Sequence, residues 1–290
     1  MSLPAGRFSY EDAFSRNLGW VTAEEQARLR GTRVSIAGLG GVGGVYLLTL
    51  ARLGIGAFSI ADFDTFSLAN FNRQAGATVS SLDRPKLDVM IELALDINPE
   101  IDIRRFGQGV TADNVDAFLA DADVYLDGLD FFAPAIRETV FTGCARRGVP
   151  ATTVAPLGMG AALLNFVPGG MSFEDYFGFA GRSETEQALR FLVGLSPAML
   201  QMGYLADPSR VNFAERRGPS TIAAVQLCSG IAAVQVLKLV LRRGEILSAP
   251  WGLHFDAYRN RLKRTWRPGG HRNPLQRLLL GIARRRLGQT

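Results

Sequence analysis

The chain alternates between short apolar runs and longer segments whose apolar residues recur every three or four positions. Arg33-Val34-Ser35-Ile36-Ala37 alternates and then turns apolar, which predicts a strand, and Val45 to Leu53 has the spacing of a buried helix closed by Gly54 and Gly56. A second strand is predicted over Ala57 to Ala61. Upstream, Ala23 to Leu29 reads as a short polar helix entered through Thr22, with Glu25 three positions on completing a capping box. Downstream come a helix from Pro85 to Asp96 broken at Asn98-Pro99, a strand over Ile101 to Phe106, a helix near Asn114 to Ala120 and a strand over Asp123 to Asp127. The helix Pro134 to Arg147 and the strand Val149 to Val154 follow. Strands separated by helices imply an α/β fold, doubly wound, with a mostly parallel sheet covered on both faces.

After Pro168 the pattern changes. Gly169-Gly170 leads into Met171 to Gly181, which holds three Phe and one Tyr, and no clean period appears up to Pro219. This reads as an insertion over the site. Residues Thr221 to Arg242 return to helix; Gln226, Gln235 and Lys238 interrupt the apolar stretch to Leu241, so a buried helix is predicted rather than a membrane span. Ala249 to Tyr258 predicts a last strand that extends the sheet. The expected organisation is a helical arm over 1–32, a nucleotide-binding domain over 33–168, an insertion with its closing helix and strand over 169–258, and a basic helical tail over 259–290.

That tail changes the picture of charge. Residues 259–290 hold ten Arg or Lys and no acid, so the net +5 of the chain conceals 22 basic against 27 acidic side chains elsewhere. A basic segment of this kind can meet nucleic acid, an anionic membrane or an acidic protein. With 47% apolar residues the chain reads as soluble and globular. Met1 to Tyr10 lacks the basic start and apolar middle of an export signal, so cytoplasm is expected. Cys144 and Cys228 are neither a disulfide framework nor spaced for zinc, and read as small buried hydrophobes. His254 is expected in a strand or core; His271, the other histidine, is far from any nucleophile.

Chemistry enters at Gly38-x-Gly40-Gly41-x-Gly43, between a strand and a helix, where backbone amides and a helix N-terminus can meet a phosphate. Asp62, 19 residues after Gly43 at the end of the next strand, is placed to hold ribose hydroxyls. Strand, glycine turn, helix, strand and acid in this order predict a Rossmann-like nucleotide site, without saying which nucleotide. Asp127-Gly128-Leu129-Asp130 is predicted at another strand end on the same edge of the sheet. Asp127 and Asp130 read either as ligands there or as helix caps, and Asp64 either as support for the site or as a turn former.

The segment Asp62-Phe-Asp64-Thr-Phe-Ser-Leu-Ala-Asn70-Phe-Asn72-Arg73-Gln74, followed by Lys86 and Asn98-Pro99, resembles the ThiF/MoeB/HesA group, bacterial relatives of ubiquitin-activating enzymes. Their pattern here is Asp-x-Asp, then Asn-x-x-Arg-Gln, then Lys and Asn-Pro; the likeness runs from about Arg16 to Pro156 and is thin beyond Pro168. The resemblance implies an ATP- and Mg2+-dependent adenylyltransferase working as a homodimer on the carboxylate of a protein or peptide, most often a ubiquitin-like sulphur carrier. It implies that Arg73 contacts the phosphates, Lys86 neutralises the α-phosphate region, Asp62 holds the ribose and Asn70 positions phosphate or carboxylate. Gln74 belongs to the same motif and is taken with the nucleotide contacts, as are Asp64 and Asp127. Arg16 stands where the group carries an arginine that reaches into the partner's site. Asp130 matches the magnesium ligand, although Phe131 replaces the Asn that usually follows.

The chain also departs from the group. It has no Cys-x-x-Cys pairs for zinc, and no cysteine between Pro150 and Gln226 to take an acyl group as a thioester. The aromatic residues Phe173, Tyr176, Phe177 and Phe179 read as packing or as the floor of a groove, with packing the commoner use. Beside carboxylate adenylation stand an ATP-dependent dehydration or cyclisation on a modified tRNA or peptide side chain, a nicotinamide or flavin oxidoreductase, and a non-catalytic scaffold. Hydride transfer gives no reason for Arg73, Lys86 and an acidic metal ligand to converge.

Overall fold

The computed structural model describes residues 8–212, 215–216 and 218–286. Helices α1 (Tyr10–Ala13) and α2 (Ala23–Arg30) lead into strand β1 (Arg33–Ala37), and helix α3 (Gly41–Arg52) into β2 (Ala57–Ala61). Then come α4 (Lys86–Ile97), β3 (Asp102–Phe106), α5 (Val115–Phe118), β4 (Val124–Asp127), α6 (Pro134–Arg147), β5 (Ala151–Leu157) and β6 (Gly160–Phe166). The chain continues through α7 (Phe173–Phe177), α8 (Glu184–Leu195), α9 (Ile222–Leu241), β7 (Trp251–Asp256), β8 (Arg261–Trp266) and α10 (Pro274–Arg286).

The strands form one sheet in the order β3-β2-β1-β4-β5-β6-β7-β8. The first five are parallel, because a helix must carry the chain back between them, and β5 to β8 are antiparallel. Alternate side chains feed two cores: Val34, Ile36, Leu126 and Leu163 pack under α3, α4 and α9, while Tyr125, Ala151, Leu164 and Phe166 pack under α6, α7 and α8. The doubly wound, mostly parallel sheet with helices on both faces is thus present, extended by antiparallel strands.

Several elements differ from the sequence expectation, helix α8 among them, which lies where no period was found. Helix α3 begins at Gly41, so the last glycines of the motif are its first turn. Strand β6, which follows β5 through a two-residue turn, is apolar but for Asn165, is buried along its whole length and carries no alternation to read. The basic tail opens with a strand: β8 pairs with β7 as the edge of the sheet, and only then does α10 follow, residues 287–290 lying outside the description. Within the insertion, Phe173, Tyr176, Phe177 and Phe179 are all buried in the second core, so they pack rather than floor a groove. Helix α9 is long and apolar enough to cross a membrane, yet Cys228, Ala232, Ala233 and Val236 along it sit in the first core. The arm docks: buried Tyr10 donates through Oη to the Gly54 carbonyl at 2.5 Å.

Candidate active site

Strand β1 lies between β2 and β4, and the chain leaves it in opposite directions along the sheet, which opens a crevice beyond its carboxyl end. The turn that fills this crevice is made of backbone in close contact. Gly38 has φ +83, and a Cβ on it would lie 2.4 Å from the Gly128 carbonyl oxygen; one on Gly43 would lie 1.8 Å from the Gly38 oxygen. The turn after β1 and the turn after β4 are therefore pressed together with no side chain between them.

Asp62, at the end of β2, holds this turn from the other side. Its Oδ2 accepts from the Leu39 amide at 2.6 Å and its Oδ1 from the Asp64 amide at 2.8 Å. Burial raises its pKa above the ordinary carboxyl value, against the pull of those two amides and of Lys86. Asp64 in turn accepts from Lys86 Nζ at 2.9 Å, and Lys86, the first residue of α4, is buried with only its charged end reaching the site. The amide of Lys86 donates to the Asp64 carbonyl at 2.9 Å, so both ends of the residue are tied to the same loop.

The loop after β2 brings in the other cation. Arg73 packs against the first turn of α3: its carbonyl and Cγ lie 3.9 and 4.0 Å from where a Gly41 Cβ would stand. Its guanidinium donates to the Ala69 carbonyl at 2.7 Å and to Asn72 Oδ1 at 3.0 Å. Gln74 is buried beside Gly40, with its Oε1 unpaired. Asn70 spends its Oδ1 on the Ser67 amide, at 3.0 Å, and so shapes the loop. Asn72 donates to the Ser220 carbonyl at 2.9 Å, linking this loop to the start of α9, where Thr221 is the cap.

On the β4 side, Asp130 is exposed and accepts from the Phe132 amide at 2.8 Å. Asp127 is given a supporting place instead of a ligand's: it is buried against Arg137 of α6, 2.8 Å from Nε. Sequence reading missed Arg137, which is itself fully buried. Its Nη2 donates to the Leu129 and Asp130 carbonyls, both at 2.9 Å, and its guanidinium lies 4.2 Å over the Phe191 ring. An arginine one helical turn into α6 looks in sequence like any solvated residue, so only its distance of ten positions from Asp127 could have hinted at the pair.

Arg16 is not brought to this site. It is exposed on a short turn whose next residue, Asn17, donates to the Leu53 carbonyl at the C-terminal end of α3, the helix that carries the glycine turn at its other end. Twelve helical residues span about 18 Å. No group of three or more His, Cys, Asp or Glu suited to a metal is found among the described residues. A single exposed carboxylate at Asp130 fits an ion of the magnesium kind, which takes one or two carboxylates and completes its shell with phosphate oxygens and water. Both cysteines are buried, and burial pushes their thiols far up from the ordinary value.

His254, on β7, is buried as expected of a core residue, with Nδ1 2.9 Å from Ser196 Oγ and Nε2 without a partner. Burial lowers its pKa, against the attraction of Asp256. An imidazole kept neutral in the fold but free to charge when unfolded favours the unfolded chain as pH falls below the ordinary histidine value. The urea midpoint is therefore expected to drop between about pH 7.5 and about pH 5.5, and to drop less in His254→Gln; equal slopes in both proteins would refute this.

A family model described as "ThiF family" matches residues 14–278. The chain is 32% identical over 148 residues to the sulfur carrier protein ThiS adenylyltransferase of Escherichia coli K12, covering 51% of this chain and 58% of that protein. It is 29% identical over 211 residues to the heterocyst protein HesA of Trichormus variabilis, covering 66% of this chain and 78% of that one. The crystal structure of E. coli MccB with ATP shares the fold at TM-score 0.64 and 19% identity, over 88% of this chain and 70% of that one.

Proposed function

We propose, from the premise that the chain belongs to the ThiF family, that it activates a carboxylate of a protein or peptide by adenylation, consuming ATP and releasing pyrophosphate. One observation carries the reading: Lys86, Asp64, Asp62 and the Leu39 amide form a continuous hydrogen-bonded chain onto the glycine turn, with Arg73 packed on its far side. Two cations thus flank a helix N-terminus at a strand switch, an arrangement that suits a triphosphate. The similarity to a ThiS adenylyltransferase supports a protein partner ending in a free carboxylate.

In this mechanism the substrate carboxylate oxygen attacks the α-phosphorus, a carbonyl–O–P bond forms, and the bond from the α-phosphorus to the bridging oxygen of pyrophosphate breaks. Lys86, held by Asp64, reduces the repulsion between the two anions, and Arg73 stabilises charge growing on the leaving group. Asp62 keeps the turn in place and offers its remaining acceptor capacity to the ribose. Asp130 would hold a magnesium ion, which supplies further neutralisation of the phosphates when bound. Arg16 completes a neighbouring site across a homodimer, since it lies at the wrong end of α3 for its own. The acyl group passes to an external nucleophile, because both thiols of the chain are buried and protonated.

Exchange of radiolabelled pyrophosphate into ATP, measured with carrier proteins and peptides as acceptors, tests this. Acceptor-dependent exchange is expected. ATP binding without exchange for any carboxylate would leave a nucleotide-binding scaffold.

A further inference from the structure

Between α8, the turn at Gly270–Arg272 and α10 lies a concavity of about 610 Å³ that shares no residue with the candidate active site. Arg182, Arg190, His271, Arg272, Arg277 and Arg284 line it. Its walls are built rather than incidental. A Cβ on Gly178 would fall 2.6 Å from His271 Cγ, and His271 Nδ1 is 2.9 Å from the Asp175 carbonyl. Helix α10 docks on α8 through Leu189, Val193, Leu280 and Ala283.

Five guanidiniums meet two carboxylates here. Glu186 takes Arg190 at 2.7 Å and Arg284 at 3.0 Å, and Asp175 stands 3.7 Å from Arg272. Arg182 and Arg277 are exposed and form no ion pair among the described residues. Cations gathered around one hollow repel each other, and the fold holds them there without enough internal counter-charge. Guanidinium forks match phosphate oxygens two at a time. The cations come from α8 and the turn before it, from the Gly270–Arg272 turn and from α10, and surround a volume within the usual range for small-ligand sites, roughly 300–1,000 Å³, instead of following a line along the surface.

We infer that this pocket binds a compact oligophosphate, with Arg182 and Arg277 as its unpaired recognition groups. The test is calorimetric titration of the full chain with inorganic tripolyphosphate, for the wild type, the double variant R182A/R277A and the active-site variant R73A. A tripolyphosphate site is expected in the wild type that R73A retains, that R182A/R277A weakens at least about tenfold, and that is weaker at higher salt, besides any binding at the glycine turn that R73A weakens. The double variant is expected to keep its circular dichroism and its pyrophosphate exchange; should it fail to fold, R277Q alone is measured with the same expectation in direction. Binding that R73A loses entirely and the double variant keeps would place the ion at the glycine turn alone and overturn the inference. So would binding insensitive to all variants, or binding of a single-stranded oligonucleotide or of phosphatidylglycerol vesicles, sensitive to R182A/R277A, where tripolyphosphate binds none.

Discussion

Replacing Arg73 with Ala is expected to lower pyrophosphate exchange by about 10²- to 10³-fold, the usual cost of removing one preorganised charge from a transition state. The residue is partly exposed and, among the described residues, its guanidinium donates only to the Ala69 carbonyl and its neighbour Asn72, both exposed contacts, so its loss strands no buried partner there. Stability is therefore expected to stay within about 1 kcal/mol of wild type, as for surface substitutions in general. Arg73→Lys should recover only part of the rate, since an ammonium carries the charge without the fork that grips two oxygens. Exchange within a few-fold of wild type in Arg73→Ala would remove this residue from the chemistry.

Arg137→Met acts the other way round, on the fold first. Arg137 and Asp127 are paired at 2.8 Å with side-chain exposures of 2% and 1%, so deleting the arginine strands a carboxylate that water cannot reach. Breaking a buried pair from one side costs about 3–5 kcal/mol. The carbonyls of Leu129 and Asp130 lose their donor at the same time, and the turn that presents the Asp130 carboxylate loosens. Denaturant unfolding is expected to show that loss, and Asp127→Asn in the same chain to return part of it by removing the stranded charge. An unfolding free energy within about 1 kcal/mol of wild type would mean that solvent reaches the pair.

What the sequence disclosed follows from what is local. The placement of the glycine motif, Asp62, Arg73 and Lys86 around one crevice was legible because a glycine turn, a strand-end acid and a loop arginine are specified by nearest neighbours and spacing. The parallel half of the sheet was legible because each strand is a short apolar run fenced by helices. Strand β6 was not, since Gly-Ala-Ala-Leu-Leu-Asn-Phe is buried along its whole length and shows no period. Strand β8 was hidden for the opposite reason: Arg261, Lys263 and Arg264 are the charges that an edge strand carries, and in sequence they read as tail. Asp127 looked like a ligand because its strand-end position is right, and only the fold shows Arg137 behind it. The burial of Cys144 and Cys228 was expected from their residue type, and the aromatic cluster, which read as packing or as the floor of a groove, takes the commoner use.

The contact of Gly38 and Gly43 with Gly128 ties the two halves of the site by main chain. The spacing between the turn after β1 and the turn after β4 is consequently set, at residue 128, by peptide units meeting each other. Neither turn can be retuned alone. A chain that drifts in sequence around this crevice can change its loops freely, but the gauge between the two turns stays fixed for as long as residue 128 has no side chain.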